Sequence, residues 1–118
     1  MSFESGQIEL DEVVRAFHIV WGEYPGNVLL VRKDRTVVAV NKMLEKAGGT
    51  VGSKCYSKNG SLCPWCKANE MFKKKVAVRE VTKAHGLVFD SFWIPTPIEE
   101  LYIHFGNDIT QWVKPELL

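Results

Sequence analysis

The sequence predicts an α+β domain: a five-stranded antiparallel sheet with short helices on one face and an amphipathic helix at the N-terminus. Three observations lead there. Apolar residues recur at helical spacing near the start of the chain. Five short segments rich in β-branched and aromatic residues follow, several joined by hairpin-length turns, which implies antiparallel neighbours. Two short helical stretches fall between the second and third of these segments and must cross over the sheet.

The chain has 118 residues, enough for one domain spanning 1–118, with 46% hydrophobic and 25% charged residues. That is ordinary globular composition and excludes a disordered or collagen-like chain. Fifteen Lys and Arg stand against fourteen Asp and Glu, a formal charge of +1, so no basic excess suggests a nucleic-acid partner. The only basic run, Lys73-Lys74-Lys75, closes a predicted helix and complements its dipole there. No apolar run reaches the ~18 residues of a membrane span. The start, Met1 to Ser5, lacks the basic and apolar regions of a signal peptide, so the sequence reads as cytoplasmic.

The first helix is expected over about 7–22, with Ser5 as its N-cap and Leu10, Val13, Val14, Phe17 and Trp21 on one stripe. That stripe needs a partner surface, either the domain's own sheet or another subunit. Gly22, Pro25 and Gly26 end the helix. Strands follow at Asn27–Arg32 and Thr36–Val40, around the polar turn Lys33-Asp34-Arg35. Asn41 caps a helix over Lys42–Ala47, stopped by Gly48-Gly49. Residues 50 to 62 read as irregular. Pro64 suits the first turn of another helix carrying Trp65, Ala68 and Phe72. Val76–Ala84, Leu87–Ile94 and Leu101–Gly106 are the last three strands, with His85-Gly86 turning between the first two. A sheet crossed by helices leaves a cavity between the layers, which suits a small organic molecule. Met43, Leu44, Met71, Phe72, Phe89, Phe92 and Ile103 are the expected lining.

The sequence resembles the PAS sensory domain over about Glu9 to Trp112, with the core at about 27–112. Pro25-Gly26-Asn27-Val28-Leu29-Leu30-Val31 is similar to the approach and first strand of that family. Val38-Ala39-Val40-Asn41-Lys42 is similar to its second strand and Asn-capped helix. Gly106-Asn107-Asp108-Ile109-Thr110 resembles its closing segment. Val51-Gly52-Ser53-Lys54-Cys55-Tyr56, followed by Cys63-Pro64-Trp65-Cys66, resembles a subset of bacterial PAS domains. The resemblance implies a sensory or interaction module rather than an enzyme, binding haem, flavin, a small metabolite or nothing. It also implies a homodimer through the N-terminal helix, and a signalling partner protein or downstream domain. The Asn-Cys-Arg core of flavin photosensors is absent, so light sensing is not expected. Pro115 interrupts any helix after Asp108-Ile109-Thr110, so the chain acts alone or is part of a longer sensor.

Cys55, Cys63 and Cys66 are the most reactive side chains in the sequence. With Pro64 at a helix start, Cys63 and Cys66 sit where the helix dipole favours thiolate. Three readings stay open: a zinc or iron–sulfur site with a fourth ligand from elsewhere, a redox switch joining two of the thiols, or reduced cysteines packed as small hydrophobes. A Cys-x-x-Cys at a helix N-terminus also occurs in thioredoxin-like oxidoreductases, but those need a strand leading straight into the motif, and an irregular loop leads in here. His18, His85 and His104 carry no motif that marks a haem ligand. The aromatic residues, Trp21, Trp65, Trp93 and Trp112 among them, read as core.

Overall fold

The computed structural model describes residues 9–55, 66–84, 86–98 and 100–117. In chain order they form α1 (Leu10–Trp21), β1 (Asn27–Arg32), β2 (Val37–Val40), α2 (Lys42–Lys46), α3 (Ala68–Lys74), β3 (Val78–Ala84), β4 (Leu87–Pro95) and β5 (Leu101–Asp108). Two short 3-10 turns, Thr110–Trp112 and Pro115–Leu117, follow. The five strands make one sheet in the order β2-β1-β5-β4-β3, and every pairing is antiparallel. The last strand therefore lies at the centre of the sheet, between β1 and β4.

The central position of β5 explains its composition. Leu101, Tyr102, Ile103 and Phe105 are all buried, because a central strand covered on both faces needs apolar residues on both. Register sorts them. Val28 pairs with Phe105 and Leu30 with Ile103, and these face α1. Leu29 pairs with His104 and Val31 with Tyr102, on the α3 side.

α1 covers the first face. Phe17 packs onto Val28, Leu30, Ile103 and Phe105, with Val13, Val14 and Trp21 beside it. The apolar stripe of α1 is thus seated on the chain's own sheet. Each fully buried Leu, Val or Phe there contributes about 1.5–3 kcal/mol. The helix stops at Gly22, where an added Cβ would lie 2.4 Å from the His18 carbonyl oxygen. Ser5, the predicted cap, lies outside the described residues.

Asn41 ties the first face together. Its side chain is wholly buried; Oδ1 accepts from the amides of Val28 at 3.1 Å and Leu44 at 3.2 Å. Its Nδ2 donates to the carbonyls of Gly26 at 2.7 Å and Tyr24 at 3.2 Å. One amide therefore caps α2, as the sequence predicts, and also fixes the approach to β1.

The third helix differs from expectation. α3 begins at Ala68 with Lys67 in the capping position, so Cys66 precedes the helix instead of sitting in its first turn. Lys67 offers no capping oxygen, and no side chain caps this end. The dipole argument for a Cys66 thiolate falls with that placement. Cys63, Pro64 and Trp65 lie outside the described residues.

Candidate functional site

The face under α3 holds most of the unusual chemistry. Ala68 and Met71 are fully buried against Val31, Trp93 and Tyr102. Leu29, Phe72, Val78, Cys55 and Cys66 close around them. Phe72 meets Tyr102 edge to face, with ring centroids 5.4 Å apart. This pair carries a cation: the Arg35 guanidinium lies 5.9 Å from the Phe72 centroid and 5.8 Å from that of Tyr102.

Arg35 is 5% exposed, unusual for an arginine in a turn. Its donors reach the carbonyl of Lys33 and, at 2.7 Å, the Asn69 side-chain oxygen on α3. Its Nε is buried without a hydrogen-bond partner. Lys33 also approaches the Phe72 ring, its Nζ 5.6 Å from the centroid. A cleft of about 680 Å³ opens beside them, lined by Lys33, Met71, Phe72, Lys75, Pro95, Thr96 and Pro97.

Farther along the same face, His104 stacks on Trp93 with ring centroids 4.8 Å apart and planes 17° apart. Its Nδ1 lies 2.9 Å from the Phe92 carbonyl and donates to it. Burial pulls the His104 pKa below its ordinary value, and the carbonyl bond opposes that only in part. Neutral His104 thus keeps its lone pair on Nε2. Thr82 and Ser91, both buried, place their hydroxyl oxygens 3.5 Å apart on this side.

The structure divides the predicted pocket residues. Met71 and Phe72 share the α3 cleft. Phe92 and Ile103 lie on the α1 face, where Phe92 stacks on Phe105 at 4.7 Å, and Ile103 lines a cavity of about 210 Å³ with Phe17 and Trp21. Phe89 is half-buried on β4 opposite Thr82. Met43 is exposed on α2, and Leu44 is half-buried against Gly49. The seven residues therefore do not meet in one cavity, because alternation along β4 and β5 sends neighbours to opposite faces.

Cys55 and Cys66 are both half-buried at the edge of the α3-side cluster. Cys63 lies outside the described residues. Among the described residues no three His, Cys, Asp or Glu side chains gather as a metal site. His18 is exposed on α1, and His85 lies outside the described residues. Of the lysine run, Lys74 pairs with Glu70 at 3.6 Å, and Lys75 caps α3 in a left-handed conformation.

Sequence reasoning missed Arg35 and the pairing of His104 with Trp93. Arg35 reads as a polar turn residue. Its burial depends on Asn69, far along the chain, and no local pattern signals it.

Solved structures superpose on this antiparallel sheet and its helices. A domain of an HTR-like protein from Haloarcula marismortui superposes with a TM-score of 0.60 at 15% identity, covering 73% of this chain and 99% of that one. A sensory box sensor histidine kinase from Vibrio cholerae gives 0.59 at 14% identity, covering 89% and 98%. The PAS domain of Bordetella pertussis BvgS gives 0.51 at 16%, covering 87% and 86%. The chain has the PAS fold. No protein-family model matches the sequence, and no curated protein matches it. Among the described residues of this PAS fold, no helix is long and apolar enough to cross a membrane.

Proposed function

We propose that this PAS-fold chain is a sensory signal-transduction module, with its input on the α3 side of the sheet and its output through α1. One observation carries the reading: α1 is two-sided. Phe17 and Trp21 grip the sheet, while Ile19 and Val20 stand 74% and 71% exposed on the same helix. A shift of the sheet would therefore be passed to an apolar outer surface. A second copy of the chain would cover that surface, as a homodimer through the N-terminal helix, with a signalling partner or downstream domain reading the change. The reading assigns no catalytic residue. The likeness to the BvgS PAS domain and to the sensory box sensor histidine kinase supports it.

The test is sedimentation equilibrium of the wild type and of Ile19→Glu/Val20→Glu. The wild type is expected to dimerise. The double variant is expected to be monomeric with unchanged circular dichroism, since both side chains are exposed. A wild type that stays monomeric, or a variant that dimerises as well, would overturn output through α1.

A second reading rests on Cys55 and Cys66, which pack on the same apolar cluster. With Cys63 they would form a redox switch or a zinc or iron–sulfur site, as the resemblance to the cysteine-bearing PAS subset suggests. Air oxidation removing two hydrogens from the intact mass would support the switch, and a metal lost to a chelator would support the site. A thioredoxin-like oxidoreductase fits less well, because its motif needs a β-α-β unit and every strand pairing here is antiparallel.

A further inference from the structure

We propose that the cleft at the C-terminal end of α3 binds a small organic carboxylate with a flat apolar body, the carboxylate held by Lys33 and Lys75 and the body laid against Phe72. The proposal rests on the sensory reading and names the chemical class of its input.

The first support is the composition of the cleft. Among the described residues, Lys33 and Lys75 are the charged ones that line it. Met71, Phe72, Pro95 and Pro97 supply apolar walls. The volume, about 680 Å³, falls in the range of small-molecule sites. Apolar walls with a few convergent polar groups suit an organic anion better than a bare one.

The second support is unspent charge. Three described lysines outside the cleft have carboxylate partners, Lys42 with Glu23, Lys54 with Asp34 at 3.5 Å and Lys74 with Glu70 at 3.6 Å, and the others there have none among the described residues; what sets the cleft apart is the buried Arg35 behind it. Among the described residues, Lys33, Lys75 and Arg35 have no carboxylate partner. Arg35 lies behind the same Phe72 ring that Lys33 approaches, and its polar partners are a carbonyl and an amide oxygen. A buried guanidinium ordinarily takes a carboxylate or phosphate. Out of water its field is poorly screened, so it favours an anion in the adjoining cleft.

The third support is the backbone. Among the described residues, the two non-glycine positions with φ in the left-handed region are Arg35 at 74° and Lys75 at 58°. Each costs roughly 1–2 kcal/mol against an ordinary conformation. Hydrogen bonds hold them there, from the Arg35 amide to the Arg32 carbonyl at 2.8 Å and from the Lys75 amide to the Met71 carbonyl at 2.7 Å. Strain of this kind gathers at sites whose geometry is used. Both strained residues are cations, and both belong to the rim or the backing of one cleft.

The experiment is an amide-resolved NMR titration of the full chain with naphthoate, benzoate, neutral naphthalenemethanol and inorganic phosphate. Naphthoate is expected to shift the amides of Lys33, Phe72 and Lys75 saturably, and to bind about tenfold or more tightly than the alcohol. Lys33→Gln/Lys75→Gln should weaken naphthoate about tenfold and leave the alcohol unchanged. Lys42→Gln, outside the cleft, should leave both unchanged. Equal binding of acid and alcohol would overturn the role of the lysines. Phosphate displacing naphthoate as well as benzoate does would overturn the need for an apolar body. No saturable shift from either aromatic acid at millimolar concentration, or shifts confined to α1, would overturn the site itself. The titration reads the cleft directly, so its failure is distinct from loss of the α1 dimer.

Discussion

Both faces of the sheet bury aromatic side chains but use them differently. On the α1 face, Trp21, Tyr24, Phe92 and Phe105 stack among themselves, and the polar groups present are matched: Arg79 lies over Phe92 at 5.5 Å but pairs with Asp90 at 2.7 Å, the Tyr24 hydroxyl donates to Asn107 at 2.7 Å, and Asn41 meets five backbone groups. On the α3 face, Tyr102, Phe72 and Trp93 are engaged with a guanidinium, an ammonium and an imidazole. On the first face the guanidinium is paired with a carboxylate; on the second, buried Arg35 has no carboxylate partner among the described residues, which is the difference the proposed site rests on.

The comparison can be broken first by core truncation. Trp93→Ala and Phe105→Ala are each expected to cost about 3–5 kcal/mol in urea unfolding, because both faces are structural at their centres. A Trp93 variant losing under about 1 kcal/mol would show that the α3 face is not packed as described. Next, Asn41→Ala should cost on the order of 3 kcal/mol, since it strands the buried Val28 amide and uncaps α2. An Asn41→Asp variant should cost at least as much, because a buried carboxylate oxygen would face the carbonyls to which Nδ2 now donates.

Arg35→Met sharpens the contrast. A buried charge without a carboxylate partner adds little net stability, so the variant should unfold within about 1 kcal/mol of wild type, or later. It should nevertheless weaken naphthoate binding. A loss of about 3 kcal/mol or more would make Arg35 a structural residue like Asn41.

The smallest expected effect is on pH dependence. Burial holds the His104 pKa below its ordinary 6.5, so the unfolded chain binds the proton more readily than the folded one. The contribution of neutral His104 is present above pH 6.5 and is lost as pH falls below that value toward the folded pKa. His104→Phe should flatten the fall in thermal stability just below that pH. The lowered pKa values of Asp34 and Asp108, set first by the hydroxyls of Thr36 and Thr110, act only at more acid pH.

Much of the fold is legible in the sequence. The stripe through Phe17 and Trp21, the Asn41 cap and the hairpin pairs all follow local patterns. The division of the site between faces does not. Alternation in β5 separates Ile103 from His104, but both sets are apolar enough to be buried, so local pattern leaves the cavity's side undecided. Phe92 and Ile103 therefore join Met71 and Phe72 in the sequence reading and part from them in the structure. Arg35 is illegible for a different reason: its burial is created by α3 folding over a turn about thirty residues earlier, through Asn69.

The most direct test of this division is native mass spectrometry of protein purified anaerobically, compared with its denatured mass. The account predicts excess mass matching a small organic anion, lost on denaturation and reduced in Lys33→Gln/Lys75→Gln. Excess mass matching a metal, removed by a chelator and absent when Cys55, Cys63 and Cys66 are replaced by serine, with no organic mass, would contradict it.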